Sequence, residues 1–184
     1  ERCTRCTGAP LAVTLFSITS MPRSIIRYAD AGTPRWGVQF ERHIAPLDID
    51  AATTGDLLSA HWDLLWSIEP EHATVPLERV RLLSPVTSQQ QFICQGVNYS
   101  SHIAESGLRV ENFPFNTIFT KAPSSITAAD APVACPAHVH LLDYEIELGL
   151  VLRRPLPAGI TVGLQDLHQW LAGVTIVNDL SARD

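Results

Sequence analysis

Two glutamates placed two residues apart in an apolar segment are the first feature of this sequence that could do chemistry. Glu145 and Glu147 fall within residues 143–152, where most other positions are aliphatic. In a β-strand, side chains two positions apart point to the same face, roughly 6.6 Å apart along the chain. Two such carboxylates repel each other and lose hydration unless water reaches them or a cation bridges them. The pattern leaves both interpretations open: a cation site, or a strand with a solvated polar face.

A third carboxylate follows a second apolar segment. Residues 173–177 are predicted to form a buried strand, and Asp179 comes directly after it. A carboxylate at the end of a buried strand is placed to be a third ligand, and an oxygen-only set suits Mg²⁺, Mn²⁺ or Ca²⁺ better than zinc. The alternative is a surface salt-bridge group made of Asp179, Arg183 and Asp184.

A histidine and a glutamate three residues apart form the third element. A short helix is predicted to begin near Ser100, and on a helix His102 and Glu105 would be neighbours on one face. A carboxylate beside an imidazole orients the ring and raises its basicity, as a general base requires. An exposed surface pair would have the same spacing.

Four short motifs, taken in order, resemble the fumarylacetoacetate hydrolase family, in a two-domain bacterial type of member. They are Gly96-Val97-Asn98-Tyr99-x-x-His102-x-x-Glu105, Phe119-Thr120-Lys121-Ala122-Pro123-Ser124, Asp143-Tyr144-Glu145-x-Glu147 and Asn178-Asp179-x-Ser181-Ala182-Arg183-Asp184. The resemblance covers residues 92–184 and implies three groups of site residues. These are metal ligands, a catalytic pair and substrate contacts: Glu145, Glu147 and Asp179; His102 and Glu105; Arg183 and Tyr99. It assigns no role to Lys121.

The resemblance also implies a reaction. The expected enzyme uses Mg²⁺ or Mn²⁺, with Ca²⁺ as a further option, to cleave a carbon–carbon bond in a small 2-oxo or β-dicarbonyl acid. Acylpyruvates and fumarylacetoacetate-like compounds are the expected substrates. His102, oriented by Glu105, would activate water, and the cation would stabilise the enolate that is left. An alternative within the family is a decarboxylase or isomerase of the 2-hydroxyhepta-2,4-diene-1,7-dioate isomerase type. A homodimer is expected on the same ground.

The predicted fold is α+β and mostly β. Residues 1–20 are interpreted as an upstream or non-native segment and residues 21–88 as a small α+β domain. In that domain strands are predicted at 24–28, 35–40 and 75–83, with a turn at Asp30-Ala31-Gly32-Thr33-Pro34 between the first two. Thr53 or Thr54 is predicted to cap a helix that runs to about Trp66 and carries an apolar stripe, Leu57, Leu58, Trp62 and Leu65. Residues 89–184 would be the first part of a mixed β-sandwich roll of the fumarylacetoacetate hydrolase type, truncated at its C-terminal side, with a helix predicted at 163–171.

Composition excludes several classes of protein. The 184 residues have a formal net charge of −6, which disfavours nucleic-acid binding. No apolar run reaches the roughly 18 residues needed to span a bilayer, so no membrane association is expected. Cys3 and Cys6 form a C-x-x-C without a second pair, and the chain is expected to be cytoplasmic with reduced thiols.

Two other functions stay open. The spacing of His138, His140 and Glu145 imitates half of a cupin metal motif, and Cys135 could join the two histidines at a zinc site. The glycine expected before the first histidine is Pro132. The other possibility is a non-catalytic binding or assembly module that keeps the family's fold.

Overall fold

The structure is a computed structural model that describes residues 12–15, 22–96 and 116–184. Contacts divide these residues into two units, which are described separately. The first contains the described residues up to Val86 together with those from Thr127 onward, and the second spans Thr87–Ile126. Within the described part of the chain, no helix is long and apolar enough to cross a membrane.

Short strands dominate both units, which confirms the mostly β fold. The strands are β1 Val13–Leu15, β2 Arg23–Asp30, β3 Thr33–Phe40, β4 His43–Pro46, β5 Val75–Pro76, β6 Arg81–Leu83, β7 Ile93–Gly96, β8 Thr117–Thr120, β9 Leu142–Asp143, β10 Ile146–Leu152, β11 Leu171–Asn178 and β12 Ser181–Ala182. The α-helices are α1 Thr54–Ala60 and α2 Trp62–Ser67, and single 3₁₀ segments cover Pro70–His72, Leu77–Arg79, Pro123–Ser125 and Leu164–Gln169.

One antiparallel sheet organises the first unit. Its strand order is β10-β11-β1-β2-β3-β4-β5, with β6 paired to β2. The predicted turn between β2 and β3 is confirmed as a two-residue hairpin, in which Ala31 and Gly32 have φ of 48° and 88°. Positive φ at both central positions is the geometry whose twist matches that of the flanking strands.

A capping box starts α1 as the sequence predicts. Thr53 Oγ1 accepts a hydrogen bond from the Asp56 N–H at 3.1 Å, and the Asp56 carboxylate accepts one from the Thr53 N–H at 2.9 Å. Replacing such a cap by alanine typically costs about 1 kcal/mol. The predicted helix is not continuous to Trp66, because α1 ends at Ala60 and α2 begins at Trp62, with His61 between them.

The core lies between these two helices and one face of the sheet. Leu15, Val38 and Leu65 are fully buried there, and Leu57 is nearly so. Trp62 packs edge-on against Trp66 at the margin of the same cluster, with 5.6 Å between the ring centroids. The apolar stripe read from the sequence of these helices is therefore a packing surface.

Three predicted elements differ from the observed ones. The strand expected at 75–83 is interrupted by the 3₁₀ segment Leu77–Arg79, after a proline that has no N–H to donate. The helix expected at 163–171 is the 3₁₀ segment Leu164–Gln169. The strand expected at 143–152 divides into β9 and β10, with two residues between them that belong to neither.

The strand β1 was not anticipated. It lies inside the segment 1–20 that the sequence analysis set apart, yet it pairs with β2 on one side and β11 on the other. Val13 and Leu15 are buried because they point into the core. Apolar residues at alternate positions suit a strand between two others, and this short signal is easily confused with an apolar leader segment.

The outer strands of the sheet carry an exposed aliphatic face. The side chains of Ile146, Leu148 and Leu150 in β10, and that of Ile176 in β11, are between 57% and 71% exposed. The intervening positions of β10 are half-buried, so the strand alternates as the sequence predicts. Its aliphatic side faces outward in the described part of the chain.

The second unit is described by its hairpin. Strands β7 and β8 pair antiparallel from Ile93 opposite Thr120 to Gly96 opposite Thr117. The Lys121 N–H continues the pairing by donating to the Phe92 carbonyl at 3.2 Å. The helix predicted near Ser100 lies outside the described residues.

Close approach of β1 to β11 generates a stability prediction at Gly173. A Cβ at this position would overlap the Thr14 carbonyl, which is backbone and cannot rotate away. We expect Gly173→Ala to lower the free energy of unfolding by about 1–3 kcal/mol, because the strands must separate. Urea unfolding measures this loss. Gly96→Ala is the control, since its nearest side-chain neighbour would be 3.5 Å away. An equal, small effect of both changes would show that β1 does not pack here.

Candidate functional site

The pairing of β10 with β11 brings the two predicted carboxylate segments together. Ile146 lies opposite Asn178, so the residue before β10 faces the residue after β11. The Asp179 N–H donates to the Glu145 carbonyl at 2.7 Å, which extends the pairing by one step. Glu145 thus lies just outside the strand rather than within it, opposite Asp179.

A serine hydroxyl lies between these two carboxylates. Ser181 Oγ is 3.5 Å from Glu145 Oε2 and 3.4 Å from Asp179 Oδ1. Both distances are longer than the roughly 2.5–3.0 Å of a normal O–H···O hydrogen bond. A hydroxyl has one proton, so it can satisfy only one of the two oxygens at a time. The two carboxylates are therefore near neighbours on either side of this hydroxyl.

Arg183 supplies the positive charge at this cluster. Its Nε lies 3.3 Å from Asp143 Oδ2, and its terminal nitrogen donates to Glu145 Oε1. The hydrogen bonds to Glu145 and Asp143 raise the pKa of Arg183 above its ordinary value. The sequence alternative placed Arg183 in a local salt-bridge group with Asp179 and Asp184, whereas its acid partners come from the β9–β10 segment.

Asp184 binds the main chain instead of a side chain. Its Oδ2 accepts the His140 N–H at 2.7 Å and its Oδ1 accepts the Leu141 N–H at 3.2 Å. The hydrogen bond from His140, followed by that from Leu141, lowers the pKa of Asp184 below its ordinary value of 3.8. The carboxylate thus holds the segment that leads into β9.

Glu147, the remaining predicted ligand, lies in β10 opposite Val177 and is half-buried. Across residues 12–15, 22–96 and 116–184, no three histidine, cysteine, aspartate or glutamate side chains converge closely enough to hold a metal ion. The donor chemistry nevertheless fits an oxygen-preferring divalent cation, because the carboxylates of Glu145 and Asp179 flank one hydroxyl. Glu147 follows two positions after Glu145.

The predicted catalytic pair, His102 and Glu105, and the predicted substrate contact Tyr99 lie outside the described residues. Cys3 and Cys6 lie outside them as well.

Among the described residues, Lys121 comes directly after β8 in the second unit. For the cupin-like alternative, Cys135 Sγ contacts the carbonyls of Pro136 and Val139 at 3.8 Å, and the His140 N–H is bound by Asp184.

The sequence analysis did not predict three sets of contacts at this site, namely those of Asp143, Ser181 and Asp184. A usable signal existed for Ser181, since it stands two positions after Asp179 and an extended chain would turn both side chains to one side. No local signal identifies Asp143 and Asp184, because their partners are about 40 residues distant in the chain.

Comparison with known proteins assigns the chain to a family. Residues 91–184 match the sequence model of the fumarylacetoacetate (FAA) hydrolase C-terminal region, which is half of the chain. The chain belongs to the fumarylacetoacetate hydrolase family. Residues 24–85 match a second description, Rv2993c-like, N-terminal.

Two curated proteins are similar in sequence to this chain. The mitochondrial oxaloacetate tautomerase Fahd2a of Rattus norvegicus is 34% identical over 110 residues, which cover 60% of this chain and 34% of the relative. Protein Rv2993c of Mycobacterium tuberculosis is 38% identical over 112 residues, covering 59% and 39%. The chain thus spans about a third of the length of these curated family members.

A solved structure of the family has the same fold. The fumarylacetoacetate hydrolase EaFAH from psychrophilic Exiguobacterium antarcticum superposes with a TM-score of 0.65 at 27% identity. The matched region covers 88% of this chain and 57% of that one. The predicted family fold is therefore confirmed.

Lowering the pH is expected to protonate the Asp184 carboxylate and so to break its hydrogen bonds to the His140 and Leu141 N–H groups. Because the pKa of Asp184 is lowered in the folded chain, its contribution to stability is complete above the unfolded value of about 3.9. That contribution is lost as the pH falls through the folded value. The amide proton shifts of His140 and Leu141, followed from about pH 6 to about pH 2, measure this step. In Asp184→Asn the step should be absent; an identical titration in the variant would contradict the assignment.

Proposed function

We propose that this chain is the cation-binding part of an enzyme that acts on a small 2-oxo acid through its enol form. Glu145, Glu147 and Asp179 are the proposed ligands of Mg²⁺ or Mn²⁺, with Ca²⁺ as a further option. Arg183 and Tyr99 are the proposed contacts of the acid. His102 and Glu105 are the proposed catalytic pair.

One observation carries the proposal. The carboxylates of Glu145 and Asp179 lie on either side of one serine hydroxyl, and Arg183 pairs with Glu145 and with Asp143. Carboxylate oxygens gathered at a half-exposed site are hard donors, which select a cation such as Mg²⁺ or Mn²⁺. An acidic substrate could then approach a site that would otherwise repel it.

The proposed chemistry divides between the cation and the chain. A bound divalent cation would supply Lewis acidity to the carboxylate and 2-oxo oxygens of the substrate. Arg183 orients Glu145 and offers donors to a second acidic group. His102 takes a proton from C3 of the 2-oxo acid as a general base, and Glu105 orients the imidazole. The electron pair of that C–H bond forms the C2–C3 double bond, and the 2-oxo oxygen takes up a proton.

Two reactions can follow from the same enol chemistry. The oxaloacetate tautomerases among the curated relatives favour a keto–enol isomerase, for which the proton transfer is the whole reaction. The hydrolase from Exiguobacterium antarcticum favours carbon–carbon cleavage, in which His102 would instead activate a water molecule. We place the isomerase first, because the tautomerases share higher sequence identity with this chain. A cytoplasmic location and a homodimer stay predictions.

Cation binding tests the ligand set. We expect the 184-residue chain to bind Mn²⁺, detected by loss of the free-ion electron paramagnetic resonance signal. Glu147→Gln should weaken binding at least about tenfold, because one anionic donor is lost. Glu78→Gln is the matched control, since Glu78 is an exposed glutamate that pairs with Arg42. Equal affinities of the two variants would rule out Glu147 as a ligand. Zinc binding that is lost in His140→Ala would instead support the cupin-like alternative.

Activity tests the catalytic pair. The protein is incubated with Mn²⁺ and either oxaloacetate or fumarylpyruvate, and the enol absorbance is followed. His102→Ala should lower the rate about 10²- to 10⁴-fold, the usual contribution of a general base. His168→Ala is the control, because His168 is an exposed histidine outside the proposed site. Absence of both reactions in a protein that binds Mn²⁺ would favour the non-catalytic binding or assembly module.

A further inference from the structure

A second pairing, between β9 and β12, joins the segment that leads to Arg183 with the segment that leads to Glu145. Ser181 lies opposite Asp143 and Ala182 lies opposite Leu142. The Arg183 N–H then donates to the Leu141 carbonyl at 2.9 Å. Each strand is only two residues long, so main-chain pairing alone gives this ladder little stability.

Asp184 extends the short ladder with two hydrogen bonds of a stronger kind. One carboxylate oxygen accepts the His140 N–H and the other accepts the Leu141 N–H. Hydrogen bonds to an ionised group are shorter and roughly twice as strong as neutral ones. In the chain, the paired residues Ser181 and Ala182 come directly before Arg183, and Asp184 with its two hydrogen bonds comes directly after it. The backbone of Arg183 is therefore held on both sides.

We propose that Asp184 is a positioning residue, which fixes the Arg183 guanidinium against Asp143 and Glu145. The acceptors of Arg183 and the donors bound by Asp184 belong to the same short segment, residues 140–145. Asp184 anchors that segment by its main chain, and Arg183 then meets the carboxylates at a fixed distance. Both hydrogen bonds of the Asp184 carboxylate go to main-chain N–H groups, those of His140 and Leu141.

The inference deepens the proposed function, on which it rests. Arg183 contacts Glu145, so its placement determines where the Glu145 oxygens lie relative to Asp179 and the hydroxyl of Ser181. Removal of the Asp184 carboxylate should consequently lower the cation affinity indirectly. It would first loosen Arg183, and Arg183 would then no longer hold Glu145 in place. Partners that orient metal ligands in this way commonly change affinity about 10- to 100-fold when they are removed.

The test compares Asp184→Ala with Thr53→Ala in the 184-residue chain. Thr53→Ala removes the cap of α1 and thereby lowers stability without touching the 140–145 segment. The first measurement, without metal, is the exchange rate of the Arg183 Nε–H and of the His140 and Leu141 amides by NMR. We expect Asp184→Ala to raise all three rates at least about tenfold, the scale of one charge-assisted hydrogen bond. In Thr53→Ala these rates should change less than about twofold, because distant sites act independently.

The second measurement is Mn²⁺ affinity, which we expect to fall about tenfold or more in Asp184→Ala and to stay unchanged in Thr53→Ala. Asp184→Glu should recover part of the loss, because it restores a carboxylate. An unchanged Arg183 Nε–H exchange rate in Asp184→Ala would overturn the positioning role. So would an equal loss of affinity in Thr53→Ala, which would reveal a purely structural effect. A wild-type chain that binds no Mn²⁺ would overturn the proposed function, whereas the exchange rates would still decide the role of Asp184.

Discussion

The site depends above all on the antiparallel pairing of β10 with β11. Seven register pairs hold these strands, and the Asp179 N–H adds one more bond to the Glu145 carbonyl. The two segments are separated by about 30 residues in the chain, and this ladder, continued by the β9–β12 pairing, brings their acidic side chains together. A shift of one residue would turn every side chain of β10 to the opposite face. The strand register is therefore a condition for the chemistry proposed here.

Backbone contacts, more than ion pairs, hold the acidic cluster. The side chains of Asp143 and Arg183 are 45% and 38% exposed, and exposed ion pairs usually contribute little to stability. The β9–β12 pairing and the two hydrogen bonds of Asp184 fix the main chain on which these charges are carried. A divalent cation held by Glu145 and Asp179, as proposed, would allow an acidic substrate to bind beside these carboxylates.

Membership of the fumarylacetoacetate hydrolase family limits the function without choosing the reaction. The relatives include oxaloacetate tautomerases and a fumarylacetoacetate hydrolase. Under the proposed mechanism both reactions pass through the enol form of an oxo acid, so the proposed ligands Glu145, Glu147 and Asp179 would serve either one. The two reactions would then differ in whether His102 takes its proton from the substrate or from water.

The sequence by itself determined the family, the mostly β fold, the hairpin at Ala31 and Gly32, and the cap at Thr53. These features follow from motif order, alternation and turn chemistry, which are local. Tertiary structure decided what joins distant segments: the position of β1 within the sheet, the partners of Arg183, and the binding of Asp184 to residues 140 and 141. It also placed Glu145 just before β10, where its carbonyl accepts the Asp179 N–H. Local patterns carry no information about such contacts, since their free energy depends on which strands become neighbours after the chain folds.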